Sequence, residues 1–309
     1  MFIEKFKQFV ARIHFKRLNP TKWKWHDPEE IIKNILILAI FLFILLVGSI
    51  LVENYWVPSN DRIFSSLLKD AKKQSKKHDC TVAGIELHGS LFAYIPPTDI
   101  GEKGETTKDE VASQDILQSI SAAEKNDEIK AIVLEIDSTG GSPVAGEEIS
   151  IALKKAKKPT VVYIRDIGAS AAYLAATGAD RIFASKYSDV GSIGVTASYL
   201  DNVGQNSKDG LVYNSLSVGK FKDSGDPDKK LTPEEKILFM RDINIMYNYF
   251  IKSVSENRGL DIEKVKKIAD GSTMLGQAAL ESGLIDQIGG IYDVMDYLKG
   301  KIGDVSICW

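Results

Sequence analysis

Histidine and cysteine are scarce in this chain, and their scarcity excludes several kinds of catalytic site. The 309 residues contain four histidines and two cysteines. Two of the histidines, His14 and His26, lie near the amino terminus, and none follows His88. Neither HExxH nor CxxC occurs, so the common zinc-binding patterns are missing and we expect no metal. A Ser-His-Asp hydrolase would have to take its base from His78 or His88, so a carboxylate or a lysine is the expected base.

Phosphate-binding glycine motifs are also absent, and the part of the chain after the first 33 residues is not cationic. Neither GxGxxG nor GxxxxGKS/T occurs, so no nucleotide cofactor is expected. The net charge is −3, yet the first 33 residues hold eight lysines and arginines against four acidic residues, so the remainder is acidic. Because phosphate contacts need cationic side chains, we expect no nucleic-acid partner.

A single long run without charge follows the basic segment. It reads ILILAIFLFILLVGSILV at residues 35–52, and a helix of this length rises about 27 Å, close to a hydrocarbon core of about 30 Å. It begins too late for a cleavable signal peptide and ends without a small-residue cleavage pattern. Aromatic residues flank it on both sides, as at membrane interfaces: Trp23, Trp25, Tyr55 and Trp56. We predict a transmembrane helix over residues 34–53 that contacts the lipid bilayer through residues 35–52.

The charge asymmetry around this run predicts the topology. The positive-inside rule places residues 1–33 in the cytoplasm and the chain after the span on the far side of the plasma membrane. Residues 54–79 are polar and lysine-rich and are interpreted as a linker, and residues 80–309 as an extracytoplasmic, or periplasmic, domain. Cys80 and Cys308 stand at the ends of that domain, where one disulfide or two free thiols both agree with the sequence.

Strand and helix patterns alternate along the extracytoplasmic domain. Apolar runs predict strands at residues 81–87, 129–136 and 159–164, and shorter strand candidates lie at residues 180–184, 191–195 and 211–217. A capping box at Thr232-Pro-Glu-Glu235 predicts a long helix that runs to about Asn257. Such alternation is typical of an α/β fold with mostly parallel strands.

Three segments carry residue types suited to nucleophilic catalysis. Ser170 stands at the predicted start of a helix, where N–H groups and the helix dipole favour negative charge, although its small neighbours also suit a tight helix–helix contact. A lysine acts as a general base only when its surroundings lower its pKa far below about 10.4. Lys222, which has Lys220 as a neighbour, is therefore a candidate general base. The alternative is that both lysines belong to a solvated, basic strand edge. Gly140 and Gly141 can offer N–H groups to an oxyanion or simply form a strand-to-helix turn.

Together these segments resemble the signal peptide peptidase A family of membrane-bound serine proteases. The resemblance covers about residues 81–292 and is carried, in order, by DSTGGS at 137–142, GASAAY at 168–173, GSIGV at 191–195, VGKFK at 218–222 and GQAALESGLID at 276–286. It implies that Ser170 is the nucleophile, Lys222 the general base, and Ser192 the residue that orients the lysine. It further implies an oxyanion hole formed by the N–H groups of Gly141 and Ala171, with Gly140 shaping the turn.

One position departs from the family pattern. Two glycines usually follow the nucleophile, whereas this chain has Ala171 and Ala172, whose methyl groups are expected to narrow the site. A helix N–H survives that change. This departure is the main support for an alternative interpretation, a catalytically inactive crotonase-like scaffold.

The resemblance also implies a fold, an assembly and a substrate class. The fold would be a ClpP/crotonase-like stack of ββα units, and the assembly a bowl-shaped homo-oligomer whose active sites include residues from adjacent subunits. Substrates would be cleaved signal peptides or other short, unfolded, apolar peptides, and no cofactor is implied. A specialised protease of envelope proteins is a second alternative, and an acyl-CoA enzyme conflicts with the predicted topology.

Overall fold

The computed structural model describes residues 80–96 and 109–309. The chain divides into two compact units, Met1–Lys77 and His78–Trp309, and the described residues all belong to the second. The predicted cytoplasmic segment, transmembrane helix and linker lie outside the described residues. Within the described part, no helix is both long enough and apolar enough to cross a membrane.

A mostly parallel sheet of nine strands forms the centre of the described domain. The strands are β1 (Val82–Phe92), β2 (Glu110–Ala112), β3 (Ala131–Gly141), β4 (Thr160–Ala169), β5 (Arg181–Ala184), β6 (Asp189–Gly191), β7 (Thr273–Leu275), β8 (Gln287–Ile288) and β9 (Ile307–Cys308). The main spatial order is β2-β1-β3-β4-β5-β8, while β6 pairs with β4 and β7, and β9 pairs with β1. Of these pairs, β6–β7 is antiparallel and the others are parallel.

Helices cover both faces of the sheet. They are α1 (Ser113–Lys125), α2 (Pro143–Lys155), α3 (Ala171–Ala176), α4 (Val203–Lys208), α5 (Pro233–Arg258), α6 (Ile262–Ile268), α7 (Gly276–Ser282) and α8 (Ile291–Ile302). The larger core cluster takes Ile132, Leu134 and Ile136 from β3 and packs them with α1, α2 and α3. A smaller cluster on the other face joins Val133 of β3 to Leu298 of α8. Burial on both faces explains why β3 is a nearly continuous apolar run.

The structure confirms the α/β class and the long helix predicted from its capping box. The hydroxyl of Thr232 accepts from the N–H of Glu235, and the Glu235 carboxylate accepts from the N–H of Thr232 at 2.9 Å. The helix α5 ends at Arg258, one residue beyond the predicted end, because Gly259 takes a left-handed φ of 62°.

Two of the shorter strand predictions are corrected by the structure. The strand predicted at residues 191–195 stops at Gly191, because Ser192 turns the chain with a φ of 51°. The strand predicted at residues 211–217 is wrong, since none of the described strands pairs with this stretch and its backbone groups need a partner to form one. Its apolar side chains are instead exposed, Leu216 to 98%.

The two cysteines form a disulfide that joins the ends of the domain. Cys80 and Cys308 are bonded across 228 residues of sequence, which resolves the alternative left open by the sequence. The bond lies beside the β1–β9 pairing, where Val82 stands opposite Ile307. It therefore fastens the last strand next to the point at which the chain enters the domain.

Candidate active site

Ser170 occupies a strained junction between β4 and α3. Its φ of 53° and ψ of −126° are rare for a residue with a β-carbon, and such conformations cost about 1–3 kcal/mol and cluster at functional sites. Backbone hydrogen bonds fix the junction: the N–H of Ser170 donates to the carbonyl of Gly191 at 2.8 Å, and its carbonyl accepts from Leu174 at 2.9 Å. The serine is thus held by its backbone alone.

The Ser170 side chain is available for chemistry. It is half-buried and lines a cleft of about 820 Å³. No residue in 80–96 or 109–309 makes a hydrogen bond with its hydroxyl. A free hydroxyl on a rigid turn at the wall of a cleft is the arrangement expected of a nucleophile.

Two glycines at the end of β3 bring backbone close to this serine. A β-carbon added to Gly140, whose φ is 101°, would lie 2.8 Å from the Ser170 β-carbon and 2.9 Å from the Ala171 nitrogen. A β-carbon on Gly141 would lie 2.1 Å from the carbonyl oxygen of Leu91. Neither position accepts a side chain without movement, so the close approach depends on glycine at both.

Hydrogen bonding within this turn involves the N–H of Gly140. The N–H of Gly140 donates to the buried hydroxyl of Ser138 at 3.1 Å, and that hydroxyl donates to the Gly89 carbonyl at 2.5 Å. Pairing of β3 with β4 ends at Ser138 and Gly168. The N–H of residue 142 donates to the carbonyl of Leu91 on β1 at 2.8 Å. The N–H of Gly140 is thus engaged within its own turn, and the oxyanion role of Gly141 stays a prediction.

Ser192 is the second serine with unusual backbone geometry. Among the described residues, Ser170 and Ser192 are the two non-glycine residues with positive φ, and both line the cleft. The Ser192 hydroxyl donates to the carbonyl of Gly271 at 2.8 Å, and its N–H donates to the carbonyl of Ser272 at 3.0 Å. Its lone pairs stay able to accept from an amine, and the lysine-orienting role that the family resemblance implies stays a prediction.

The wall of the cleft is largely apolar and its charged groups are acidic. Tyr247 and Phe250 of α5 line it together with Leu174 of α3. Within the described chain, the charged residues that line it are Glu147 and Asp270. Hydrogen bonds from the side chain and backbone of residue 272 lower the pKa of Asp270, so it stays ionised. The cleft therefore combines an apolar wall with negative charge.

Lys222 is not part of this cleft in a single chain. It lies in an exposed turn between α4 and α5, where its N–H donates to the Gly219 carbonyl at 3.0 Å. One chain therefore brings together Ser170, Ser192 and the two glycines, with Ala171, but not the predicted base. Its role stays a prediction.

His88 does not line the cleft either. Its Nε2 lies 3.1 Å from a carboxylate oxygen of Glu135, which also accepts from Arg165 at 3.0 Å. His78 lies outside the described residues. Among those that are described, no histidine is placed to act as base for Ser170.

The alanines after the nucleophile change the site less than expected. Ala172 is completely buried and does not line the cleft, so its methyl group does not narrow it. Ala171 lines the cleft but is only 4% exposed. The sequence does not single out Ser138, which holds the Gly140 turn, because the predicted strand ends at residue 136 whereas β3 continues to Gly141.

Comparison with known protein families indicates the class of protein. Residues 102–188 match the Clp protease family, and residues 152–303 match peptidase family S49. The class is thus that of serine peptidases with an α/β, Clp protease-like fold.

Individual relatives agree with this class. A candidate protease of Methanocaldococcus jannaschii is 38% identical over 185 residues, which is 59% of this chain and 59% of that protein. A candidate signal peptide peptidase SppA of Enterococcus faecium is 32% identical over 214 residues, 68% of this chain and 62% of that protein. Protease 4 of Haemophilus influenzae is 28% identical over 196 residues, 62% of this chain and 32% of that protein.

The match to peptidase family S49 and the relatives named signal peptide peptidase SppA and protease 4 support the signal peptide peptidase A family. The resemblance drawn from five sequence segments is therefore confirmed, and so is the expectation of a serine protease family with a ClpP-like fold. The matched region spans about three fifths of the length of the first two relatives described above.

Proposed function

We propose that this protein is a membrane-anchored serine endopeptidase that cleaves short, unfolded, apolar peptides, including cleaved signal peptides, outside the cytoplasm. One observation carries the proposal: the free hydroxyl of Ser170 lies on a strained turn, beside the glycine backbone of β3, in an apolar cleft. No metal or cofactor is part of this proposal.

The proposed reaction is acyl transfer through a Ser/Lys dyad. The Ser170 oxygen attacks the peptide carbonyl while the neutral amine of Lys222 takes its proton, and the lysine then protonates the leaving amine. The N–H groups of Gly141 and Ala171 stabilise the oxyanion of the tetrahedral intermediate. Water then hydrolyses the acyl-enzyme with the same base. Ser192 accepts from the lysine amine and fixes its position.

The position of Lys222 favours a site completed by a second copy of the chain. The segment between β6 and α5 carries the lysine and exposes apolar side chains, listed here: Leu200, Leu211, Val212, Leu216 and Val218. A cluster of exposed apolar residues of this kind marks an interaction surface. In the proposed homo-oligomer, this segment packs on the neighbouring subunit and places Lys222 beside that subunit's Ser170.

Two features support the proposed location. The uncharged run at residues 35–52, preceded by a basic segment, favours an inner-membrane anchor with its amino terminus in the cytoplasm. The Cys80–Cys308 disulfide suits an oxidising, extracytoplasmic compartment.

A serine-reactive fluorophosphonate tests the proposal directly. We expect the full-length protein to form a covalent adduct at Ser170, and Ser170→Ala to form none. Peptide profiling with the same protein separates a general peptidase from a specialised envelope protease. An intact wild-type chain that gives no adduct and cleaves no peptide would favour the inactive scaffold and refute the proposal.

A further inference from the structure

A buried carboxylate stands at the amino terminus of α5. Glu235 is only 3% exposed, although the residues around it are largely exposed. Its oxygens accept from the Lys229 amine in an ion pair, from the Ser224 hydroxyl at 3.2 Å, and from the N–H of Thr232 at 2.9 Å. Burying a charge costs free energy unless it is paired, so a fully partnered carboxylate here marks a tightly determined contact.

These partners fasten the two residues that directly follow Lys222. The hydroxyl of Ser224 donates a hydrogen bond to Glu235 itself. Asp223 lies 3.9 Å from the amine of Lys229 and accepts from the hydroxyl of Ser215 at 2.6 Å. The turn that bears the lysine therefore has a fixed carboxyl-terminal side, although it is exposed and lacks regular structure.

The helix α5 also reaches the cleft. The middle of α5 supplies Tyr247 and Phe250 to the cleft wall. Near its carboxyl terminus, Asn257 donates to the hydroxyl of Thr177 at 3.0 Å, and Arg258 forms an ion pair with Asp286 at 2.8 Å. A single docked helix thus carries a wall of the cleft and, at its first turn, the attachment of the Lys222 segment.

We propose that Glu235 is a positioning residue, which acts through Lys229, Ser224 and Asp223 to hold the segment that presents Lys222. This inference rests on the proposed function, in which Lys222 is the general base. The hydrogen bond from Lys229 lowers the pKa of Glu235 to about 2, so the anchor stays charged wherever the enzyme works.

Glu235→Gln tests the inference with little change of shape. Glutamine also forms a capping box, so the contact with the helix start is kept while the charge that holds Lys229 is removed. Glu234→Gln is the matched control. Glu234 precedes Glu235 in the same helix turn and is exposed, and its replacement removes the same charge. Both variants are made in the full-length protein, and kcat, KM and the pH profile of peptide cleavage are measured.

We expect Glu235→Gln to lower kcat by about 10- to 100-fold with KM little changed, since small misplacements of a catalytic group have effects of this size. The pH profile of turnover should also change, because the surroundings of the amine that accepts the proton change. Glu234→Gln should match the wild type in all three quantities. A merely structural role would reduce the folded fraction but would not move the pH profile.

Ser224→Ala is the second variant, for the case in which Glu235→Gln fails to fold. It removes one contact with Glu235 and leaves the ion pair, so we expect a loss of kcat of about threefold to tenfold at an unchanged melting temperature. Equal kcat and pH profiles for the wild type and these variants would overturn the inference alone. An inactive wild type would instead overturn the proposed function, and this inference with it.

Discussion

Replacing Gly140 by alanine puts a methyl group directly against the proposed nucleophile. The added carbon would lie 2.8 Å from the Ser170 β-carbon, whereas two carbons rest comfortably at about 3.5–4.0 Å. Ser170 or the turn must therefore move by roughly an ångström to relieve the contact. A shift of that size costs about 10²-fold in kcat when it displaces a catalytic group.

The same substitution also strains the backbone, and a second glycine separates the two effects. Gly140 has a φ of 101°, and Gly303 has a φ of 84° with no atom within 4 Å of an added β-carbon. A side chain in such sparsely populated backbone conformations costs about 1–3 kcal/mol, which corresponds to a fall in melting temperature of about 2–12 °C for a domain of this size. We expect Gly303→Ala to show that loss alone, and Gly140→Ala to lose more stability and most of its activity.

The assay is peptide turnover per folded molecule, with the folded fraction taken from thermal unfolding at the assay temperature. Fluorophosphonate labelling of Ser170 gives an independent measure of the nucleophile. If Gly140→Ala keeps the turnover and the labelling rate of Gly303→Ala, the Gly140 turn does not set the position of Ser170. The steric argument for this site would then be refuted.

Four further predictions concern the base, the acid stability, the assembly and the topology. Lys222→Met should lower turnover by at least about 10²–10⁴-fold while Lys220→Met has little effect; similar losses for both would contradict the dyad. Because the folded-state pKa of Glu235 is lowered from 4.5 to about 2, its contribution to stability is complete above pH 4.5 and is lost toward pH 2. Urea unfolding against pH should show that loss in the wild type but not in Glu235→Gln. Mixed oligomers of Ser170→Ala and Lys222→Met should regain activity if subunits share a site, and light scattering of the fragment from residue 54 should exclude a monomer. Protease added to spheroplasts should digest the domain and spare residues 1–33; the reverse pattern would overturn the orientation.

Local patterns in the sequence predict much of the fold because their causes are local. The β3 strand is buried on both faces, and its apolar run shows this directly. The capping box of α5 lies within four residues, Thr232 to Glu235, so its hydrogen bonds follow from spacing alone. Such features need no knowledge of the rest of the chain.

Features that depend on distant partners could not be predicted in this way. The stretch at residues 211–217 has the composition of a strand, but a strand exists only where another one pairs with it. The Cys80–Cys308 bond joins residues 228 positions apart, and their proximity follows from the β1–β9 pairing. The ion pair between Lys229 and the buried Glu235 likewise depends on how the turn before α5 folds back onto the helix.

The geometry of the site explains why sequence could nominate Ser170 but not show how it is held. Motif order identifies Ser170 and Ser192, whereas the positive φ of both residues is a property of the folded backbone. Each such residue costs about 1–3 kcal/mol and persists only when its surroundings determine it. For Ser170 the surroundings are the carbonyl of Gly191 and the turn of Gly140, and for Ser192 they are the carbonyls at residues 271 and 272. Two strained serines in one cleft, each fixed by separate backbone contacts, are hard to explain as a means of stabilising the domain. They are explained if the cleft must present one free hydroxyl as a nucleophile and a second as an acceptor for an amine that arrives from outside the chain.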